Sequence, residues 1–277
     1  MATPRLLTTA LGLIALIAPA SANGAIFNYY IGRDGLVSFS SGTYAGYVNP
    51  NYTRVTFLYA HPNQVNPSGN HYHAIGAYSL TGPAELPVVN STNANNRIPE
   101  QYTGQPPLTL VPGTGVFTGK LVSAATAEHY SDLRILSVDA LAGFPPGTPE
   151  HFMFNSSGGR WAGSMAGTTV ALQLVSKTAG LHISTSNGTE ILASPGDVFP
   201  LGAGDAIDFT PVFWTDGSAA LGTYSAELRL LETSSAVLDG GRFFIDFAVV
   251  PEPASLGLIG LAACVLLRRR SRIVGKS

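Results

Sequence analysis

Near the end of the chain the run Thr223-Tyr224-Ser225-Ala226-Glu227-Leu228-Arg229-Leu230 alternates polar and apolar side chains without a break. Successive side chains of a strand point to opposite faces, so Tyr224, Ala226, Leu228 and Leu230 form one apolar row, with Thr223, Ser225, Glu227 and Arg229 behind it. Phe243, Ile245, Phe247 and Val249 repeat the pattern opposite Arg242, Phe244, Asp246 and Ala248. No long stretch between the two ends of the chain has a 3.6-residue apolar period. A chain of this kind has to bury one face of each sheet against another, which predicts an all-β protein, an antiparallel β-sandwich. The remaining expected strands are Leu36–Ser40, Thr53–Tyr59, His71–Leu80, Gly115–Leu121, Leu133–Ser137, Thr169–Ser176, Leu181–Thr185 and Ala206–Phe213, punctuated by turn formers.

The pattern is not uniform. Pro83 to Pro112 is rich in Pro, Asn and Thr and reads as a long surface loop, and Ala142 to Gly167 is a second turn-rich stretch. We expect an irregular, histidine-bearing region over residues 23–165 and a more regular sandwich region over 166–250.

Both ends read as sorting signals. Residues 1–22 have Arg5, an apolar core from Ala10 to Ala18, a break at Pro19 and the small-x-small Ala20-Ser21-Ala22, the layout of a signal peptide cut by signal peptidase. Residues 251–277 open with Pro251-Glu252-Pro253-Ala254, continue with an apolar run from Leu256 to Leu267, and stop at Arg268-Arg269-Arg270-Ser271-Arg272. That apolar run is shorter than the roughly 20 residues of a membrane-spanning helix. The tail resembles the PEP-CTERM signal of exported bacterial proteins, which implies processing by an exosortase-like enzyme and a final place in the envelope, on the cell surface or outside the cell.

Without these ends the chain changes character. Between residues 23 and 250 nine Lys and Arg face sixteen Asp and Glu, a net charge of −7 against −2 for the whole chain. Such a surface repels nucleic acid and tolerates cations. The only cysteine, Cys264, lies in the tail, so metal chemistry outside the cell must rest on imidazole and carboxylate.

Five of the six histidines fall between residues 61 and 151: His61, His71, His73, His129 and His151. In His71-Tyr72-His73 the two imidazoles leave one face of a strand and can meet one ion. His61, beyond the turn-rich link Pro62 to Asn70, returns beside them if the flanking strands form a hairpin. Zinc accepts neutral imidazole nitrogens in a tetrahedral shell, with a fourth position open to His129, His151, Glu128, Glu150 or water. His182, alone in Leu181-His182-Ile183, reads as a structural or surface strand residue.

Other motifs point to no chemistry. Asp197, Asp205, Asp208 and Asp216 have turn spacing rather than the dense oxygen loop of a calcium site. Ser156-Ser157-Gly158 lacks the frame of a nucleophile elbow. Glu128 and Asp132 do not by themselves make a glycosidase pair. Trp161 and Trp214 read as packing residues.

Several segments in order carry a wider resemblance: Asn70-His71-Tyr72-His73-Ala74-Ile75-Gly76, Asn96-Arg97-Ile98-Pro99-Glu100, Tyr130-Ser131-Asp132-Leu133-Arg134-Ile135, Pro149 to Trp161, and Phe209-Thr210-Pro211-Val212-Phe213-Trp214. Together they resemble the Zur-repressed PEP-CTERM family, named for control by the zinc-uptake repressor. The resemblance implies expression when zinc is scarce. The leading expectation is a non-catalytic, exported protein that binds zinc through the histidine cluster for capture or homeostasis at the cell surface. A structural or adhesive component of the envelope or exopolysaccharide matrix and, last, a metal-assisted hydrolase are the other readings.

Overall fold

The structure is a computed structural model that describes residues 26–234 and 236–251. The signal peptide expected at 1–22, Cys264 and the sorting tail beyond Pro251 lie outside the described residues.

Strands dominate, and they form several sheets around a buried core, as the alternating pattern requires. The first sheet is built on β1 (Tyr29–Arg33), β2 (Val55–His61) and β3 (His71–Ile75), with β2 antiparallel to both neighbours. Ile135–Ser137 joins β1 in parallel, and Asp208–Phe209 closes that edge. The second sheet contains β4 (Thr169–Lys177), β5 (Gly222–Glu232) and β6 (Arg242–Val249), with Val198–Ala203 beside β4. Arg97–Ile98 and Leu108–Thr109 both pair in parallel with β6. A third sheet orders His182–Ser184, Val212–Asp216, Lys120–Val122 and Val111–Pro112, and Ser79–Thr81 pairs with Val88–Asn90 in a small hairpin. Strands from either side of residue 165 thus share all three larger sheets.

β1 carried no clear strand signal because four of its five residues are buried on both faces, which removes the alternation. The strand expected over Leu36–Ser40 is a loop with a single bridge from Ser38 to Val48, since its Ser and Gly neighbours favour turns. Ala206–Phe213 divides into Asp208–Phe209 and a separate strand, Val212–Asp216, interrupted at Pro211, which has no N–H to offer a ladder. Likewise Gly115–Leu121 begins as a 3₁₀ turn, Gly115–Phe117, before the strand Lys120–Val122. His71–Leu80 ends at Ile75 because Gly76 turns with φ of 67°, and a Cβ there would stand 2.2 Å from the Arg242 carbonyl oxygen.

The expected surface loop Pro83–Pro112 is the largest correction. It contains Val88–Asn90, Arg97–Ile98, Leu108–Thr109 and Val111–Pro112, and Ile98, Glu100, Leu108 and Leu110 are buried. Its backbone finds partners in β6, so a Pro- and Asn-rich composition did not prevent it from entering the sheet.

The first two sheets meet through their apolar rows. Phe57 of β2 stacks on Phe243 of β6 with centroids 4.3 Å apart, and Tyr29 also stacks against Phe57, at 5.3 Å. Burying one such phenyl contributes roughly 1.5–3 kcal/mol. Trp161 is buried in the same core, and Trp214 lies under the His182 ring, 4.0 Å away and nearly parallel. His182 also holds the Glu190 carboxylate at 2.9 Å, as suits a structural strand residue.

A buried ion pair fixes the turn-rich stretch after residue 142. Asp34, fully buried just after β1, accepts hydrogen bonds from the Arg160 guanidinium, Asn49 Nδ2 and the Leu36 amide. Upstream, Thr148 caps a short helix, α1 (Pro149–Phe154), by accepting from the His151 amide. The Pro149 carbonyl receives Asn70 Nδ2 at 2.9 Å, tying α1 to the start of β3.

Candidate metal centre

On the β2–β3 hairpin, residues directly opposite share a face, and the register pairs Phe57 with Ile75, Tyr59 with His73 and His61 with His71. Phe57 lies in the interface between sheets, so this whole row faces the core. The row turns from apolar to polar as it passes the core's edge: Phe57 and Ile75 are buried, His61 and His73 half-buried, and His71 exposed. Three imidazoles therefore crowd the rim, with ring centroids 4.3 Å apart for His61 and His73, 5.0 Å for His71 and His73, and 5.4 Å for His61 and His71.

The link between the strands makes this register possible. Asn63 Oδ1 accepts the amides of Val65 and Asn66, Asn70 Oδ1 accepts the Asn63 amide at 2.6 Å, and Pro67–Gly69 forms one 3₁₀ turn. These local bonds satisfy a loop that has no ladder of its own.

The second sheet supplies the carboxylate. Arg97–Ile98 lies against β6, where Arg97 is paired with Asp246 at 2.6 Å, and the Asn95 carbonyl accepts the Gly76 amide at 2.9 Å. This anchoring places Glu100 over the histidines with its side chain fully buried. Glu100 Oε1 meets His73 Nδ1 and Asn95 Nδ2, each at 2.6 Å. Oε2 meets His61 Nε2 at 3.3 Å, Tyr130 Oη at 3.1 Å and Tyr102 Oη at 3.4 Å.

Burial would raise the Glu100 pKa, but the hydrogen bonds from His73 and Asn95 and the charge of His73 prevail and bring it down to about 2. It is therefore an anion at any ordinary pH. The His61 imidazolium is disfavoured by burial first and then by neighbouring His73, so its pKa falls below the usual histidine value. A neutral imidazole beside a fixed carboxylate is the protonation state that a metal ligand needs.

One nitrogen from His61, one from His73 and a Glu100 oxygen all lie within 4.8 Å of one another. Tyr59 Oη, on the same face, and Asn95 Oδ1 are buried without a hydrogen-bond partner among the described residues. Two imidazoles and a carboxylate form a donor set that zinc accepts, and His71 stands next to it.

The other expected residues are placed differently. His129 is exposed at the cluster's edge, its ring 6.2 Å from His61 and 5.8 Å from Tyr59. His151 lies in α1 beside Phe152, with Asn155 Nδ2 at 3.3 Å from its Nδ1, outside the group of converging rings. Glu128 Oε2 accepts the Thr109 amide, and Glu150 is buried in α1. Glu100 is the member that reading for histidine overlooked; only Ile98, an apolar residue inside a polar stretch, hinted that the segment enters the core.

A PEP-CTERM protein-sorting motif matches residues 249–270. The chain thereby carries the sorting signal of an exported protein, one that exosortase processes for the cell surface or the extracellular space. No curated protein and no solved structure matches it. Among the described residues no helix is long and apolar enough to cross a membrane.

Proposed function

We propose that this exported protein is a non-catalytic zinc-binding protein, made under zinc limitation, that captures the ion or contributes to zinc homeostasis at the cell surface. The observation that carries the reading is the convergence of His61, His71 and His73 on one rim, around a fully buried glutamate. An anion buried among imidazoles is stabilised by a cation, and the cysteine-free chain between the two signals leaves nitrogen and oxygen as its ligands. The resemblance to the Zur-repressed PEP-CTERM family supplies the condition of expression. A role without catalysis is supported by the state of Glu100: both of its oxygens already face hydrogen-bond donors, which leaves it poorly suited to take a proton from a bound water.

Metal analysis of gently purified protein, followed by zinc titration of the wild type and of the His71→Ala/His73→Ala double variant, tests the reading. The expected result is stoichiometric zinc in the wild type and at least a 100-fold weaker affinity in the variant. Equal, weak binding by both would sink it.

A further inference from the structure

The hydrogen atoms on two of the rings can be assigned from their partners. His71 Nδ1 lies 2.9 Å from the Gly69 carbonyl oxygen, which can only accept, so Nδ1 of His71 carries the hydrogen. His73 Nδ1 lies 2.6 Å from Glu100 Oε1, an oxygen that already accepts from Asn95 Nδ2, so it too donates. In neutral rings both Nε2 atoms are then left with lone pairs, and these two atoms stand 3.1 Å apart. Two lone pairs facing each other at that distance repel unless a cation lies between or beside them. Two ligands at about 2.0–2.1 Å from a tetrahedral zinc ion are separated by about 3.3 Å, close to the spacing already present.

Resting on the zinc-binding reading above, we propose that the ion is held by Nε2 of His71 and Nε2 of His73, and that Glu100 is a positioning residue that does not coordinate. The carboxylate fixes the orientation and tautomer of His73, as an outer-shell acceptor does for a metal-bound imidazole. His61 faces the same carboxylate through its Nε2 at 3.3 Å. Asn95, Tyr102 and Tyr130 occupy the remaining approaches to Glu100, so the group is held as a fixed acceptor. The ion then lies at the exposed, His71 end of the row. Positions left to solvent there make it exchangeable with a donor or acceptor outside the protein.

Chelator competition for zinc with the wild type, His71→Ala and Glu100→Gln separates this arrangement from one centred on His61, His73 and Glu100. Pulsed EPR of the copper(II)-loaded proteins counts the coordinated imidazoles. We expect His71→Ala to lose 100-fold or more in zinc affinity and one coupled imidazole. Glu100→Gln should weaken binding by about 10–100-fold with the imidazole count unchanged. His71 is exposed, so its variant tests the idea even if Glu100→Gln folds poorly. Affinity of His71→Ala within threefold of wild type would overturn the assignment while leaving zinc binding intact. A wild type that binds no zinc would overturn both, and a shared proton would then be the cation between the two rings.

Discussion

The β2–β3 and β5–β6 hairpins follow one rule and reach different ends. On β5 and β6 the inward row stays apolar throughout, from Tyr224, Ala226, Leu228 and Leu230 to Phe243, Ile245, Phe247 and Val249, and all eight residues are buried. On β2 and β3 the inward row begins the same way with Phe57 and Ile75, then passes through Tyr59 to His61, His73 and His71. The first row closes the core and the second runs past it. Imidazoles placed on a core-facing row are aligned by strand register, while their position at the rim keeps them within reach of an ion. Rigid strands hold such a site more firmly than a loop would.

The largest effect that should break the comparison lies on the apolar side. Phe243→Ala removes the ring stacked on Phe57 and should cost about 3–5 kcal/mol of stability, measured by denaturant unfolding. Zinc affinity of the protein that remains folded should change little, because the histidines are fixed by the β2–β3 register. On the polar side, His73→Ala should do the reverse, lowering zinc affinity by at least about 100-fold, or about 2.7 kcal/mol at 1.36 kcal/mol per decade. Its unfolding midpoint without metal should move less than that of Phe243→Ala.

A smaller effect concerns pH. Burial opposes ionisation of Glu232 at the end of β5, but hydrogen bonds from the Ser234 hydroxyl and the Thr169, Ser234 and Val237 amides outweigh it, taking its pKa to about 2 from the ordinary 4.5. Because the folded value is depressed, the stabilisation is complete above pH 4.5 and is lost as pH falls through about 2. Unfolding measured across that interval should show a steeper loss in the wild type than in Glu232→Gln. Should the two profiles coincide, the amide cage around Glu232 contributes nothing. Smallest of all, His129→Ala should change zinc affinity by no more than a few fold and His151→Ala not at all, since neither ring joins the converging three; titration of the two variants checks this.

Much of the second sheet could be read directly. In β5 and β6 an amphipathic strand declares itself through alternation, because each has one covered face and one polar face. β1 could not be read this way, being buried on both faces. The His71-Tyr72-His73 pair was legible for the same reason as β5, since a period of two puts both rings on one side whatever the strand packs against. His61 needed the hairpin to form in the right register: a one-residue slip would turn it to the other face.

Glu100 lay beyond such reasoning. Its neighbours in the chain are Pro99 and Gln101, in a stretch whose composition says loop, and its partners His61, His73 and Tyr130 are 27 to 39 positions away. The sequence by itself determined a β-rich chain with a sorting motif at its end and a pair of imidazoles on one strand face, because these depend on local period and composition. Only the tertiary structure decided that Arg97–Ile98 joins β6 and carries Glu100 across to the histidines of the other sheet. That choice rests on long-range pairing and on the need to satisfy a buried carboxylate, neither of which leaves a periodic mark on the chain.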